Sequence, residues 1–238
     1  MYIIGGSVKL LEMKKTPRLF IGLVLCAIGV VLTINANLGL APWDVLHEGL
    51  ANKLNITIGQ STMLVSAIVI ALDVILGEKI GIATILNIVV VGWLLDIIML
   101  NNLIPVASGL LSGIIMLTLG MFALGLGCAM YLSVGMGSGP RDGLMIALQK
   151  RTNKSTQSIR STIEIGALIV GFFLGGSVGI GTIITGFGLG YSMQIVFEKL
   201  DFRAVEIKHR YISDEIKDFK NRKLVKDEEL ANIEISVD

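Results

Sequence analysis

Charge is scarce in this chain, and so is almost everything that polar chemistry needs. Asp, Glu, Lys and Arg make up 16% of the 238 residues, against 53% hydrophobic. Cysteine and histidine occur twice each. Cys26 and Cys128 fall in apolar runs, without Cys-x-x-Cys spacing or a neighbouring His, and read as buried structural thiols. Met1 to Arg18 lacks the cationic start, apolar core and small-residue cleavage site of a signal peptide, so it reads as part of the mature chain. Gly186-Phe187-Gly188-Leu189-Gly190 follows no strand and has the wrong glycine spacing for a dinucleotide fingerprint. With no triad, metal-ligand cluster or phosphate loop, the sequence predicts no catalytic residue, no metal, no cofactor and no nucleic-acid partner. An enzyme is not expected.

What the chain does have is apolar length. Runs of about 18 residues or more recur along it, long enough to cross the hydrocarbon core of a bilayer. Six crossings are predicted, near residues 19–37, 58–76, 81–100, 106–134, 158–174 and 178–197. Two shorter helical stretches interrupt them, Pro42 to about Leu54 and Pro140 to about Lys150. Both are too short to cross. In each, Pro occupies the first helical position, where its missing N–H costs nothing, and an aspartate two residues later sits in the first turn against the helix dipole.

Those two stretches are copies. Adding 98 to Gly39, Pro42, Asp44, Leu46, Leu50 and Asn55 gives Gly137, Pro140, Asp142, Leu144, Leu148 and Asn153. The same ungapped register pairs Gly22 with Gly120, Gly29 with Gly127, Gly77 with Gly175, Gly81 with Gly179, Thr84 with Thr182 and Gly92 with Gly190. Gly, Pro, Asp and Asn matches in one register mark an internal duplication. Three crossings per half is an odd number, so the second half enters the bilayer inverted. The charges agree. Lys9, Lys14, Lys15 and Arg18 precede the first crossing and place the N-terminus in the cytoplasm. The first Pro-x-Asp connection, with Asp44, Glu48, Lys53 and His47, then lies outside, whereas the second carries Arg141, Lys150, Arg151 and Lys154 and lies inside. The expected fold is an all-α membrane protein of six transmembrane helices in two inverted three-helix repeats. Each repeat has a short re-entrant or interfacial helix after its first span.

The expected layout is a cytoplasmic segment 1–18, repeat one at 19–100, repeat two at 106–198, and a charged cytoplasmic tail at 199–238. In the tail, Ser213 before Asp214-Glu215 is a helix start. The tail reads as a solvated helix, with contact to anionic headgroups or docking of a protein partner as the competing readings.

Asp44 and Asp142 are the first candidates for a site. Each is sufficiently explained as a stabiliser of its own helix start. Alternatively, the two short helices fold back from opposite faces and meet near the middle, where broken helices at an inverted-repeat interface build transporter sites. Gly39, Gly137 and Ser138 permit close approach there, and the two aspartates would hold a cation, a proton or a substrate amine. Glu164 lies inside the fifth crossing, with Arg160 one turn earlier as its helical partner; an ionisable group at that depth is a site or half of a structural pair. Asp73 and Asp96 fall near the ends of crossings two and three and read as interface residues.

Leu38-Gly39-Leu40-Ala41-Pro42-Trp43-Asp44 and Gly135-Met136-Gly137-Ser138-Gly139-Pro140-Arg141-Asp142 resemble the YczE/YyaS/YitT family of bacterial integral membrane proteins. The resemblance covers roughly residues 15–200 and is nearer the YczE type, since the tail is too short and charged for the soluble C-terminal domain of YitT-type members. It implies a multi-helix protein of a bacterial cell membrane and supplies no substrate and no site residues. The functional expectation is a small-solute or ion transporter or channel. Its rivals are a non-transporting accessory protein that docks a partner, and a substrate-capturing subunit of a larger transporter. Oligomeric state is not legible.

Overall fold

The computed structural model describes residues 14–152, 156–203, 207 and 209–214. The first thirteen residues and the charged stretch after Asp214 lie outside them, and with them most of the expected tail. Eight helices of thirteen residues or more carry the fold: α1 Lys15–Asn35, α2 Pro42–Leu54, α3 Ile58–Ile75, α4 Ile82–Leu100, α5 Leu110–Leu132, α6 Pro140–Thr152, α7 Thr156–Phe173 and α8 Ile180–Lys199. No strand occurs among the described residues.

Five of these helices, α1, α3, α4, α5 and α8, are long and apolar enough to cross a membrane. The expected fifth crossing, α7, is not among them. It has the length, at 18 residues, but Gln157, Arg160 and Glu164 dilute its first half. Two boundaries also moved. α5 begins at Leu110 rather than near 106, because the preceding loop folds back on the end of α1: Asn35 Nδ2 donates to the Ile104 carbonyl at 2.7 Å, and Ala107 N–H to the Asn35 carbonyl at 2.8 Å. α1 begins at Lys15, so Arg18 is inside the helix, buried, with its guanidinium donating to the Ser133 carbonyl at 3.2 Å.

The outer surface is apolar. Phe187 is 84% exposed and Ile75, Leu111 and Phe173 stand out with it, as expected where lipid rather than water is the neighbour. Inside, α1 and α5 form an antiparallel pair held by small residues. A Cβ on Gly22 would stand 2.9 Å from the Gly127 carbonyl oxygen, and one on Gly120 would stand 2.9 Å from that of Gly29. Such approach trades side-chain volume for backbone van der Waals contact. α1 also packs on α4, through Leu23, Ala27 and Val31 against Ala83, Leu95 and Ile98. Midway along α4, Asn87–Val91 forms a π-helical turn, a local widening that α8 lacks over the equivalent residues.

The register of 98 recurs in three dimensions. α2 and α6, α3 and α7 start and stop at residues related by it. So do the left-handed turn residues: Asn37 and Gly135 (φ 54° and 72°), Gly39 and Gly137 (105° and 123°), Gly77 and Gly175 (84° and 96°). Contacts between the halves are reciprocal as well. Gly181 N–H donates to the Leu38 carbonyl at 2.6 Å, and Ala83 N–H to the Met136 carbonyl at 2.9 Å. Gly39 lies on Gly179 and Gly137 on Gly81, so close that a Cβ at any of the four would collide with backbone. Each short helix therefore packs on the other half, α2 on α7 and α6 on α3.

Candidate functional site

α2 and α6 approach each other at their N-terminal turns. Pro42 and Pro140 start them, and Asp44 and Asp142 sit in their first turns, as the sequence requires. The residues between Pro and Asp make the contact: the Arg141 guanidinium carbon lies 4.6 Å from the centroid of the Trp43 ring. Trp43 is itself buried in an apolar cluster with Val65 and Val69 of α3 and Ala167 of α7, flanked by Leu46 and Leu144. The stack thus stands on a floor to which both short helices and both of their packing partners contribute.

Three of the sequence candidates act on Arg141 through their charge, without contact. The carboxylates whose charge it feels are Asp44, Glu164 and Asp142. None is within ion-pair distance of it. Asp44, 7% exposed, lies 3.4 Å (Oδ1) from Nδ1 of His47. Glu164 pairs with Arg160 at 3.2 Å, so the helical partnership at four-residue spacing is realised. Asp142 donates its own N–H to the Gly139 carbonyl at 3.1 Å in the first turn of α6. Arg141 is exposed and has no hydrogen bond or ion pair to any described residue. His47 is 1% exposed, and neither of its ring nitrogens has a hydrogen-bond partner.

Gly39, Gly137 and Ser138 are placed differently. Gly39 and Gly137 form the crossings with Gly179 and Gly81, and the Ser138 carbonyl accepts from Thr84 Oγ1 at 2.6 Å. They position α2 and α6. Asp96 and Asp73 each contact a neighbouring helix. Asp96 turns inward and caps α3, accepting from Thr57 Oγ1 at 2.5 Å and from Gly59 N–H at 2.8 Å. Asp73 is 4% exposed and packs on Gly143 of α6, with Oδ1 lacking a hydrogen-bond partner. The residue that the sequence failed to single out is Arg141, which enters there only as one basic charge among those that orient the second half. Its register was the available signal, because 43 + 98 = 141.

On one flank of α6 the segment 209–214 folds back over the loops. Arg210 N–H donates to the Gly135 carbonyl at 2.7 Å and Ile212 N–H to that of Ile80 at 2.9 Å. Lys79 lies 3.8 Å from Asp214 and 5.6 Å from the centre of the Tyr211 ring. Burial lowers the pKa of His209, with the Asp142 charge opposing the shift.

Comparison with known proteins gives a family and no activity. Residues 13–198 match the model of a family of unknown function, DUF6198. An uncharacterized protein of Haemophilus influenzae is 36% identical over 168 residues, covering 71% of this chain and 76% of that one. The uncharacterized membrane protein YczE of Bacillus subtilis is 34% identical over 164 residues, 67% and 74% of the two chains. YyaS of the same organism is 31% identical over 163 residues, 67% and 80%. No solved structure matches. These relatives and the apolar helices make the chain a membrane protein, in contact with the lipid bilayer.

Proposed function

The chain belongs to the DUF6198 family, and we propose that it is a transporter or channel for a small solute, with its site where α2 and α6 meet. The observation that carries this reading is the Arg141–Trp43 stack. Positions 43 and 141 are equivalent in the two copies, and equivalent positions that touch lie beside the pseudo-two-fold axis relating those copies. The pairs Leu46 and Leu144, and Val69 and Ala167, surround the same point. An axis in the membrane plane puts that point near the middle of the bilayer, where inverted-repeat transporters hold their substrates.

The reading includes six crossings in two inverted halves, with α7 as the crossing that carries charge. Arg160 and Glu164 on α7 neutralise each other, and a paired or cavity-facing charge is the form in which ionisable groups are tolerated at depth. Both termini lie in the cytoplasm of a bacterial cell, in accord with the basic α6 region and the mixed charges of the α2 region. Asp44 and Asp142 hold the first turns of the helices that present Trp43 and Arg141.

The test is flux. Proteoliposomes carrying the full chain should exchange at least one member of a panel of small radiolabelled solutes faster than empty vesicles. Arg141→Gln should abolish that exchange while the protein stays monodisperse in detergent. Flux that persists in the variant, or none for any solute, favours the accessory-protein reading.

A further inference from the structure

We propose that the Arg141 site takes a small zwitterion, its carboxylate on the guanidinium and its cationic end toward Asp44. This rests on the transporter reading for the place of the site but not for its chemistry. A guanidinium carries five N–H donors in a planar fork suited to a carboxylate. In Arg141 those donors meet no described protein acceptor, although one face of the group is spoken for by Trp43. Stacking fixes the plane and leaves the edges free, which is the arrangement that presents a fork to a ligand. Asp44 and Asp142 adjoin Trp43 and Arg141 in the chain, so both carboxylates belong to the turns that carry the stack; Asp44 lies 3.4 Å from the His47 ring without a hydrogen bond, whereas Glu164 is paired with Arg160. Among the described residues Arg141 has no counter-charge in contact.

The sign pattern then selects the ligand. A plain anion that reaches Arg141 is repelled by Asp44 and Asp142. A plain cation drawn to those carboxylates is repelled by Arg141. A molecule carrying both signs a few ångströms apart gains from both and brings no net charge into a membrane interior, where net charge is costly. His47 adds a second, independent indication of an occupant on the acidic side. It is buried, its two ring nitrogens have no hydrogen-bond partner, and Asp44 and Arg141 are the charges beside it. A buried imidazole with no partner is an incomplete hydrogen-bonding arrangement that a ligand donor or acceptor would complete.

The experiment is calorimetric titration of the purified full chain in detergent, which requires no transport. The probes are L-alanine, β-alanine and glycine betaine as zwitterions, with propionate and ethylamine as the separate halves. At least one zwitterion should bind saturably, and neither half should bind at the same concentration. Arg141→Gln should weaken that binding about tenfold or more, the loss expected for a charge-assisted pair, and Arg141→Lys, which keeps the charge and loses the fork, should weaken it less. Thermal unfolding of each variant near the parent temperature verifies that the site, not the fold, was lost. Three results would overturn the proposal: propionate binding as well as the zwitterions, ethylamine binding that survives Arg141→Gln, or no probe binding. Zwitterion binding without flux would instead sink the transporter reading, and flux of another solute without zwitterion binding would sink this one alone.

Discussion

Arg141 lies over the ring of Trp43, 4.6 Å from its centroid, and the two residues occupy the same position in the two copies of one sequence unit. The copies agree on the flanking Pro and Asp and differ in the residue between. One contributes an aromatic face and the other a guanidinium, so residues of different chemistry meet in complementary contact. A symmetric pair, two arginines or two tryptophans, would place like charges together or leave the centre without a charge.

The stack should be measurable as a coupling. Trp43→Phe, which keeps a ring and most of the buried volume, and Arg141→Met, which keeps the stem, should each lower the unfolding temperature modestly. In a double-mutant cycle the two should fall short of additivity by about 0.5–2 kcal/mol, the range for cation–π contacts from exposed to desolvated. Additive losses would mean that the contact contributes nothing to stability. Trp43→Ala is a different experiment, since it opens a cavity against Val65, Val69 and Ala167 and should cost about 3–5 kcal/mol.

Glycines that share a positive φ should differ in cost according to their surroundings. Gly39 and Gly137 have φ of 105° and 123°, and a Cβ on either would run into the other half, at Gly179 and Gly81. Gly77, at φ 84°, has open space around its missing Cβ. Gly77→Ala should therefore cost only the left-handed penalty, about 1–2 kcal/mol. Gly39→Ala and Gly137→Ala should add steric separation of the halves and prevent recovery of folded protein, or lower its melting temperature far more. Similar losses at all three positions would remove the case for tight crossings.

Much of this arrangement was legible because the duplication was. Pro42 to Leu54 is the helix expected, and the offset of 98 that pairs Gly39 with Gly137 in the sequence also pairs their backbone angles and their contacts. Local signals sufficed there, since Pro fixes a helix start and Gly a left-handed turn. Arg141 was not legible as a central residue, because a basic residue beside a membrane span has an adequate explanation in topology alone. Asp73 was missed for a related reason. Its burial depends on Gly143 leaving room for a carboxylate on a neighbouring helix, a fact of packing with no local sequence mark. Asp96, read from the sequence as an interface residue, also caps a helix 37 residues before it in the chain, a pairing with no local sequence mark.

That cap gives a third prediction. Thr57 and Gln60 form a reciprocal capping box at the start of α3, at 3.1 and 3.2 Å, and Asp96 closes it from α4. Asp96→Ala leaves the Gly59 N–H and the Thr57 hydroxyl without an acceptor and should cost about 1–3 kcal/mol. Zwitterion binding at Arg141 should be unchanged by it, because Asp96 is not among the charges that act there. Altered binding in a folded Asp96→Ala protein would show that the two ends of α3 are coupled.

The last prediction concerns acid and the 209–214 segment. Burial holds the His209 imidazole below its ordinary value of about 6.5, outweighing the opposing pull of Asp142. A histidine whose pKa is lowered by docking binds fewer protons docked than free. Its contribution to docking is complete above the free value and is lost as the pH falls through the docked one. The readout is hydrogen exchange at Arg210 and Ile212, whose N–H groups donate to Gly135 and Ile80. Relative to intrinsic exchange, their protection should be constant above about pH 6.5 and should fall below it. His209→Phe keeps the buried ring and should flatten the profile. Asp142→Asn removes the charge that raises the imidazole value, so the docked pKa should drop further and the loss of protection in acid should deepen. A profile left unchanged by His209→Phe would assign the pH response to another group, and a shallower one in Asp142→Asn would reverse the sign of the interaction between His209 and Asp142.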